Sequence, residues 1–244
     1  MIRYVMSIIV LFSVLSCSAN EPVGKKIQTI EINEIPATKL VTPRPAIVNY
    51  LDSLGFLDIE KTDKSILVDL KYATTDNFTG NILYHELDRA YLHPIAMERL
   101  SKASSILREN HPGLYLLVYD ATRPLSVQKE MYNAVKDTKY KAYVANPSRT
   151  SLHNYGMAVD LTICDSRQNP LDMGTVFDYF GKIAGTNQED LLTSQGLLTQ
   201  QQVNNRRLLR SIMQQAGFIP IRGEWWHFNA CPLGEAQRIS NLVK

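Results

Sequence analysis

Two histidines and two acids stand at spacings that suit metal-assisted hydrolysis. His153 and Asp160 share the segment Ser151-Leu152-His153-Asn154-Tyr155-Gly156-Met157-Ala158-Val159-Asp160, and His227 closes Gly223-Glu224-Trp225-Trp226-His227-Phe228. Two imidazoles and one carboxylate make a three-ligand zinc set that leaves a fourth position open for water. With neutral rings the site keeps a net positive charge, which lowers the pKa of bound water toward ~7. Glu224, three residues before His227, is placed to take that water's proton and pass it to a leaving amine. Iron oxygenases also use two His and a carboxylate, but their usual His-x-Asp spacing is absent here. The plain alternative is a scatter of polar residues near strands.

The other three histidines read differently. His85, His93 and His111 sit in loop-like contexts, and the last two directly precede prolines. They are expected at the surface or at helix boundaries.

The elements that must hold these residues are mixed. Residues 94–110 read as a helix, with Pro94 at its start and Ile95, Leu100, Ala103 and Leu107 near helical spacing. His111-Pro112-Gly113 stops it. Residues 114–119 form a short apolar run between turn signals, a buried strand. A second helix is expected over 126–137 and a second buried strand over 157–163. A long helix follows over 201–216, with Gly217 ending it, and then a hairpin over 218–221 and 225–228. Strands arrive in runs, without a regular βαβ alternation. That predicts an α+β fold in a single domain, with a small central antiparallel sheet flanked by helices.

Composition sets the frame. The chain has 244 residues, 45% hydrophobic and 20% charged, with 26 basic and 24 acidic side chains. That suits one globular domain with a tail. No one-sign block stands out, which argues against nucleic-acid binding. Arg3 precedes an apolar run over residues 4–15, too short for the roughly 20 residues of a bilayer span, so residues 1–17 read as a signal segment. The run ends at Val14-Leu15-Ser16-Cys17. It resembles a bacterial lipobox, in which Cys17 would be lipidated, although Leu is more usual than Val at the first of these positions. The alternative is an ordinary secretory signal with an incidental Cys. Residues 18–45 carry Pro22, Pro36, Pro43 and Pro45 and no sustained period, which suits a flexible tether. The folded domain is then 46–244. The chain is expected to be exported to the periplasmic side as a membrane-anchored lipoprotein, touching membrane only through its lipid anchor. The sequence carries no signal for oligomeric state.

Five ordered segments resemble the VanX-like D-alanyl-D-alanine dipeptidase family, zinc D,D-peptidases related to the D-alanyl-D-alanine carboxypeptidases. They are Lys71-Tyr72-Ala73-Thr74 with Asp76-Asn77-Phe78-Thr79-Gly80; Asp120-Ala121-Thr122-Arg123-Pro124; the Ser151–His153–Gly156–Ala158–Asp160 pattern; Met173-Gly174-Thr175 with Phe177-Asp178; and Asn205-Arg206-Arg207 leading to Glu224-Trp225-Trp226-His227-Phe228. The double Trp points to the dipeptidase branch.

The resemblance implies a hedgehog-like D,D-peptidase fold and one zinc per chain on His153, Asp160 and His227. It implies Glu224 as catalytic base and Arg123 as oxyanion stabiliser. Asp178 would hold the substrate ammonium, and Ser151 and Tyr72 would line the substrate pocket. By residue type alone Arg123 would be a surface Arg before a turn Pro, Asp178 a helix cap, Tyr72 core and Ser151 loop. Trp225 and Trp226 are expected as walls and core. Leu152 stands where the family's resistance enzyme has a second Ser that helps to bind the dipeptide.

The implied reaction is hydrolysis of the small D,D-dipeptide during cell-wall peptide turnover. A D,D-carboxypeptidase acting on peptidoglycan stem peptides is one alternative, and a non-catalytic cell-wall-binding lipoprotein is another. Cys164 and Cys231 each follow a proposed ligand by four residues. If their strands are antiparallel with the ligands side by side, the two thiols diverge and stay unbridged.

Overall fold

The computed structural model describes residues 45–244. The expected signal segment 1–17, Cys17 and the tether up to residue 44 lie outside the described residues. In chain order the elements are α1 (Ala46–Ser53), β1 (Leu57–Asp58), α2 (Ile59–Thr62), β2 (Leu67–Val68), β3 (Tyr91–Leu92), α3 (Pro94–Asn110), β4 (Leu114–Asp120), α4 (Leu125–Val135), β5 (Ala158–Asp165), α5 (Glu189–Ser194), α6 (Gln200–Gln215), β6 (Ile219–Pro220), β7 (His227–Asn229) and α7 (Leu233–Ile239).

The main sheet has five strands in the order β2-β4-β5-β7-β6, and β1 pairs with β3 in a separate two-stranded sheet. All pairings in the main sheet are antiparallel except one, because β2 runs parallel to β4. The expected purely antiparallel sheet is therefore mixed at that edge. A two-residue strand such as β2 carries no periodicity that could announce its direction against a distant partner.

Local signals explain the helices. In α3, Pro94 occupies the first turn and His93 caps it, its ring accepting from the Ile95 N–H. Met97, Leu100, Ser104 and Leu107 fall on one buried stripe, which packs against β4 and α6. Helix α6 opens with a reciprocal cap between Thr199 and Gln202 and buries Val203, Arg206, Leu209 and Met213. His85 and His111 are exposed, as their contexts suggested.

Strand β5 lies mid-sheet, buried from Ala158 to Cys164. Val159, Leu161 and Ile163 on one face enter the main core, and Asp160 and Thr162 on the other are also buried because both faces are covered. Cys164 and Cys231 are both free and buried. Asp160 pairs with His227 across antiparallel strands, so the chains leaving these two residues run apart and carry the sulfurs with them.

Candidate metal centre

Strand pairing assembles the site's first row. Asp160 on β5 sits opposite His227 on β7, and Asp120 on β4 sits opposite Asp160 on its other side. The register shifts between Val118 and Asp120, where Val118 faces Leu161 while Asp120 faces Asp160. Two residues advance on β4 for one on β5. This bulge brings Asp120 onto the row of Asp160 and His227, the kind of re-aiming that bulges provide.

His153 arrives from a short 3-10 turn, Leu152–Tyr155. Ser151 accepts from the His153 N–H, and the Ser151 N–H donates to Asn154 Oδ1. Gly156 ends the turn at φ +63°. A Cβ there would fall 2.7 Å from the Phe56 ring and 2.9 Å from both the His93 nitrogen and Thr122 Oγ1, so only glycine fits. The turn is tied to the Arg123 segment: the Arg123 N–H donates to the His153 carbonyl, and Asn154 Nδ2 donates to the Arg123 carbonyl.

The donor set fits a cation. His153 Nδ1 lies 2.7 Å from the Ala121 carbonyl, which can only accept, so that nitrogen carries the proton and Nε2 presents a lone pair. His227 Nε2 lies 2.8 Å from Asn229 Oδ1, which leaves His227 Nδ1 facing inward. His153 Nε2 and His227 Nδ1 are 3.2 Å apart, and Asp160 reaches them at 3.4 and 2.9 Å. One ligand atom from each of the three residues lies within 4.8 Å of the others. Two lone pairs and a carboxylate repel one another unless a cation or a proton sits between them. The metal-free equilibria carry the same message. Burial opposes charge on both groups, but the two imidazoles hold the Asp160 carboxyl below the usual carboxylate range, and contact with Asp160 raises His227 to about 9. Nitrogen and carboxylate ligands of this number suit zinc with an open position.

The other candidates surround this point. Tyr72, Arg123, Ser151, His153, Asp160, Asp178, Glu224 and His227 all line one cavity of about 220 Å³. Arg123 is buried. Its Nε and Nη2 donate to Asp120 Oδ2 at 2.9 and 2.6 Å, and its Nη1 donates to Gln128 Oε1 at 2.8 Å. Its Nη2 also lies 3.6 Å from Asp160 Oδ2. Asp178 holds φ at +60°, and its carboxylate accepts from the Tyr72 hydroxyl at 3.0 Å to each oxygen. Glu224 and Asp178 are half-buried residues whose carboxyl groups are desolvated. Burial raises Glu224 to about 7 and, with nearby Asp160, puts Asp178 well above the carboxylate range. Trp226 lines the cavity, and Trp225 packs at right angles to it while donating to Thr175 Oγ1.

The D-Ala-D-Ala dipeptidase description of Peptidase M15 matches residues 52–244. The chain belongs to this family. Among curated relatives, the D-alanyl-D-alanine dipeptidase of Escherichia coli K12 is 34% identical over 177 residues, 72% of this chain and 85% of that protein. The enzyme of the same name from Enterococcus faecium is 31% identical, covering 72% of this chain and 91% of its own. A solved vancomycin-resistance D,D-pentapeptidase, VanY, overlaps with a TM-score of 0.33 at 18% identity over 62% of this chain and 79% of that one, too little to carry an argument. This M15 peptidase is a metallopeptidase, and zinc is the cofactor its donor set fits.

Three parts of this M15 site escaped the sequence reading. Asp120 lies in the Arg123 motif, but nothing local gave it a task. Its buried carboxylate joins Tyr84, whose hydroxyl donates at 2.5 Å, to Arg123. Tyr84 has no sequence signal at all. Asn229, which orients His227, had one: two residues along a strand fall on the same face.

Proposed function

We propose that this M15 peptidase hydrolyses D-alanyl-D-alanine to two D-alanines. The observation that carries this reading is the single small cavity shared by the metal set, Glu224, Arg123 and Asp178. Its volume, about 220 Å³, lies below the ~300–1,000 Å³ of drug-sized ligand sites. Phe78, Tyr143 and Phe180 close part of its wall, with Phe180 stacked on Tyr143 at 5.0 Å.

Zinc held by His153, Asp160 and His227 would supply Lewis-acid polarisation of the scissile carbonyl and an acidified water. Glu224, desolvated and without a hydrogen-bond partner among the described residues, accepts the proton of the attacking water and returns it to the leaving amine. Arg123 stabilises the developing oxyanion. Its guanidinium cannot swing, because Asp120 and Gln128 hold three of its N–H bonds. Asp178 receives the substrate ammonium. Burial raises its pKa, so its charged form is favoured by the arrival of a cation. Ser151 and Tyr72 border the same space.

An adjoining cavity of about 830 Å³ shares Phe78, Asp178 and Phe180 with the first. It supports a second reading, a carboxypeptidase whose longer peptide extends past this wall. A direct comparison separates the two readings. Zinc-loaded protein should show at least ~100-fold higher kcat/KM on D-Ala-D-Ala than on a pentapeptide ending in D-Ala-D-Ala, a gap of about 2.7 kcal/mol. Asp178→Asn should narrow that gap mainly by slowing the dipeptide. Equal rates on both substrates would establish the carboxypeptidase.

The apolar run at residues 4–15 and Ser16-Cys17 support export and lipidation at Cys17. In that location the dipeptide released by cell-wall turnover is the reachable substrate. Fatty-acid labelling of the full chain in a bacterial host should mark the protein and fail in Cys17→Ala; equal labelling of both would remove the anchor.

A further inference from the structure

The Asp178 loop hangs from one buried guanidinium. Arg206 on α6 has no exposed surface. Its Nε donates to the Met173 carbonyl at 2.6 Å, and its Nη1 donates to the carbonyls of Ile183 at 2.9 Å and Gly185 at 3.4 Å. These acceptors lie at the two ends of the irregular segment 173–185, which carries Asp178 near its middle. Neighbouring α6 residues hold the same entry point: Asn205 Nδ2 donates to the Asp172 carbonyl, and Gln202 Nε2 donates to the Asp172 carboxylate. Gly174, at φ +79°, has no room for a Cβ beside Leu198 and Gln202.

Arg206 has no carboxylate within ion-pair distance among the described residues, because Glu189 is engaged by Arg207 and Arg210. Burial without such a partner lowers its pKa to about 10. A desolvated cation of this kind is a poor source of stability, and an apolar side chain would fill the space more cheaply. A planar fork can instead fix several carbonyls at once. Between its ends the loop contains no α-helix or strand, only a single 3-10 turn at Lys182–Ala184 beside its far end. Among the described residues the Asp178 carboxylate is hydrogen-bonded by the Tyr72 hydroxyl alone. The flanking side chains Phe177 and Phe180 pack on aromatic neighbours and Thr175 accepts from Trp225, while the loop backbone is fixed at its two ends by Arg206.

We propose that Arg206 is a positioning residue for substrate recognition: by clamping both ends of segment 173–185 it sets where the Asp178 carboxylate meets the ammonium of the dipeptide. This rests on the reading of Asp178 given above. Among the described residues the hydrogen bonds of Arg206 go to Met173, Ile183 and Gly185 and to none of the metal ligands, Glu224 or Arg123, so its effect belongs in substrate binding rather than in the chemical step.

A four-protein cycle tests it: wild type, Arg206→Lys, Asp178→Asn and the double variant, each full-length and zinc-loaded, with KM and kcat read on D-Ala-D-Ala. Lysine keeps the charge and loses the fork. Arg206→Lys should raise KM about tenfold with kcat within threefold. In the Asp178→Asn background the same change should raise KM less than twofold. An equal rise in both backgrounds, or a fall in kcat at constant KM, overturns the proposal while leaving Asp178's role intact. If Asp178→Asn alone leaves KM unchanged, the ammonium assignment falls and the clamp falls with it. Should Arg206→Lys fail to fold, Asn205→Ala, which frees only the Asp172 end, should show a smaller KM rise that again vanishes beside Asp178→Asn; the same rise in both backgrounds would reject the clamp.

Discussion

Asp160 lies directly opposite His227 on the neighbouring antiparallel strand, with its Oδ1 2.9 Å from His227 Nδ1. Two potential ligands that are distant in sequence are thus set side by side by the ladder, and His153 is the third, brought in by the turn before β5.

The metal set gives the first prediction. Metal analysis of the purified protein should return about one zinc per chain, and His153→Ala and His227→Ala should each empty the site. Tyr84→Phe should keep it. Full zinc retention in both histidine variants would show that the ion sits elsewhere.

Proton competition gives the second. Burial alone would lower the His227 imidazole, but Asp160 outweighs it and holds the metal-free ring at about 9. A group raised above its ordinary value of ~6.5 adds stability below that pH and loses it as the pH climbs through about 9. Zinc requires the unprotonated ring, so binding must release a proton at neutral pH. The gain in Tm on adding zinc should therefore grow between about pH 6 and pH 9. A gain that stays flat or shrinks across that range would contradict this coupling.

Glu224 gives the third. Glu224→Gln should retain its zinc and lose ~10²–10⁴-fold in kcat. The base must be unprotonated to act. Burial raises it to about 7 without metal, and the charge of bound zinc can only move it down. Wild-type kcat/KM should therefore fall on the acid side with a midpoint no higher than about 7. A variant that keeps full activity would assign the proton transfer to another group.

The fourth concerns the support of Arg123. Asp120 has no exposed surface and holds Arg123 through two hydrogen bonds. Asp120→Asn leaves the buried guanidinium with only the more distant Asp160 carboxylate, 3.6 Å away, so unfolding should become easier by up to about 3–5 kcal/mol in denaturant titrations, and activity should fall with it. Tyr84→Phe removes one hydrogen bond to the same carboxylate and should cost about 1–3 kcal/mol. Equal stability of Asp120→Asn and wild type would mean that the guanidinium finds another partner.

Much of this molecule was legible one segment at a time. Pro94 and the His111-Pro112-Gly113 stop bounded α3 because caps and breakers act within a turn of their own position. The buried strand around Asp160 and the closing hairpin followed from short apolar runs between turn signals. The metal candidates stood out because His and Asp side chains carry their ligand chemistry wherever the fold places them. What tertiary structure alone decided was who meets whom. The pairing of Asp160 with His227, the bulge that brings Asp120 onto their row, the Tyr84 hydroxyl on Asp120, the parallel β2 edge and the hold of Arg206 on both ends of the Asp178 loop all join residues distant in sequence. Strand register and desolvation are set by the packing of the whole domain, and no local pattern of residue types encodes either one.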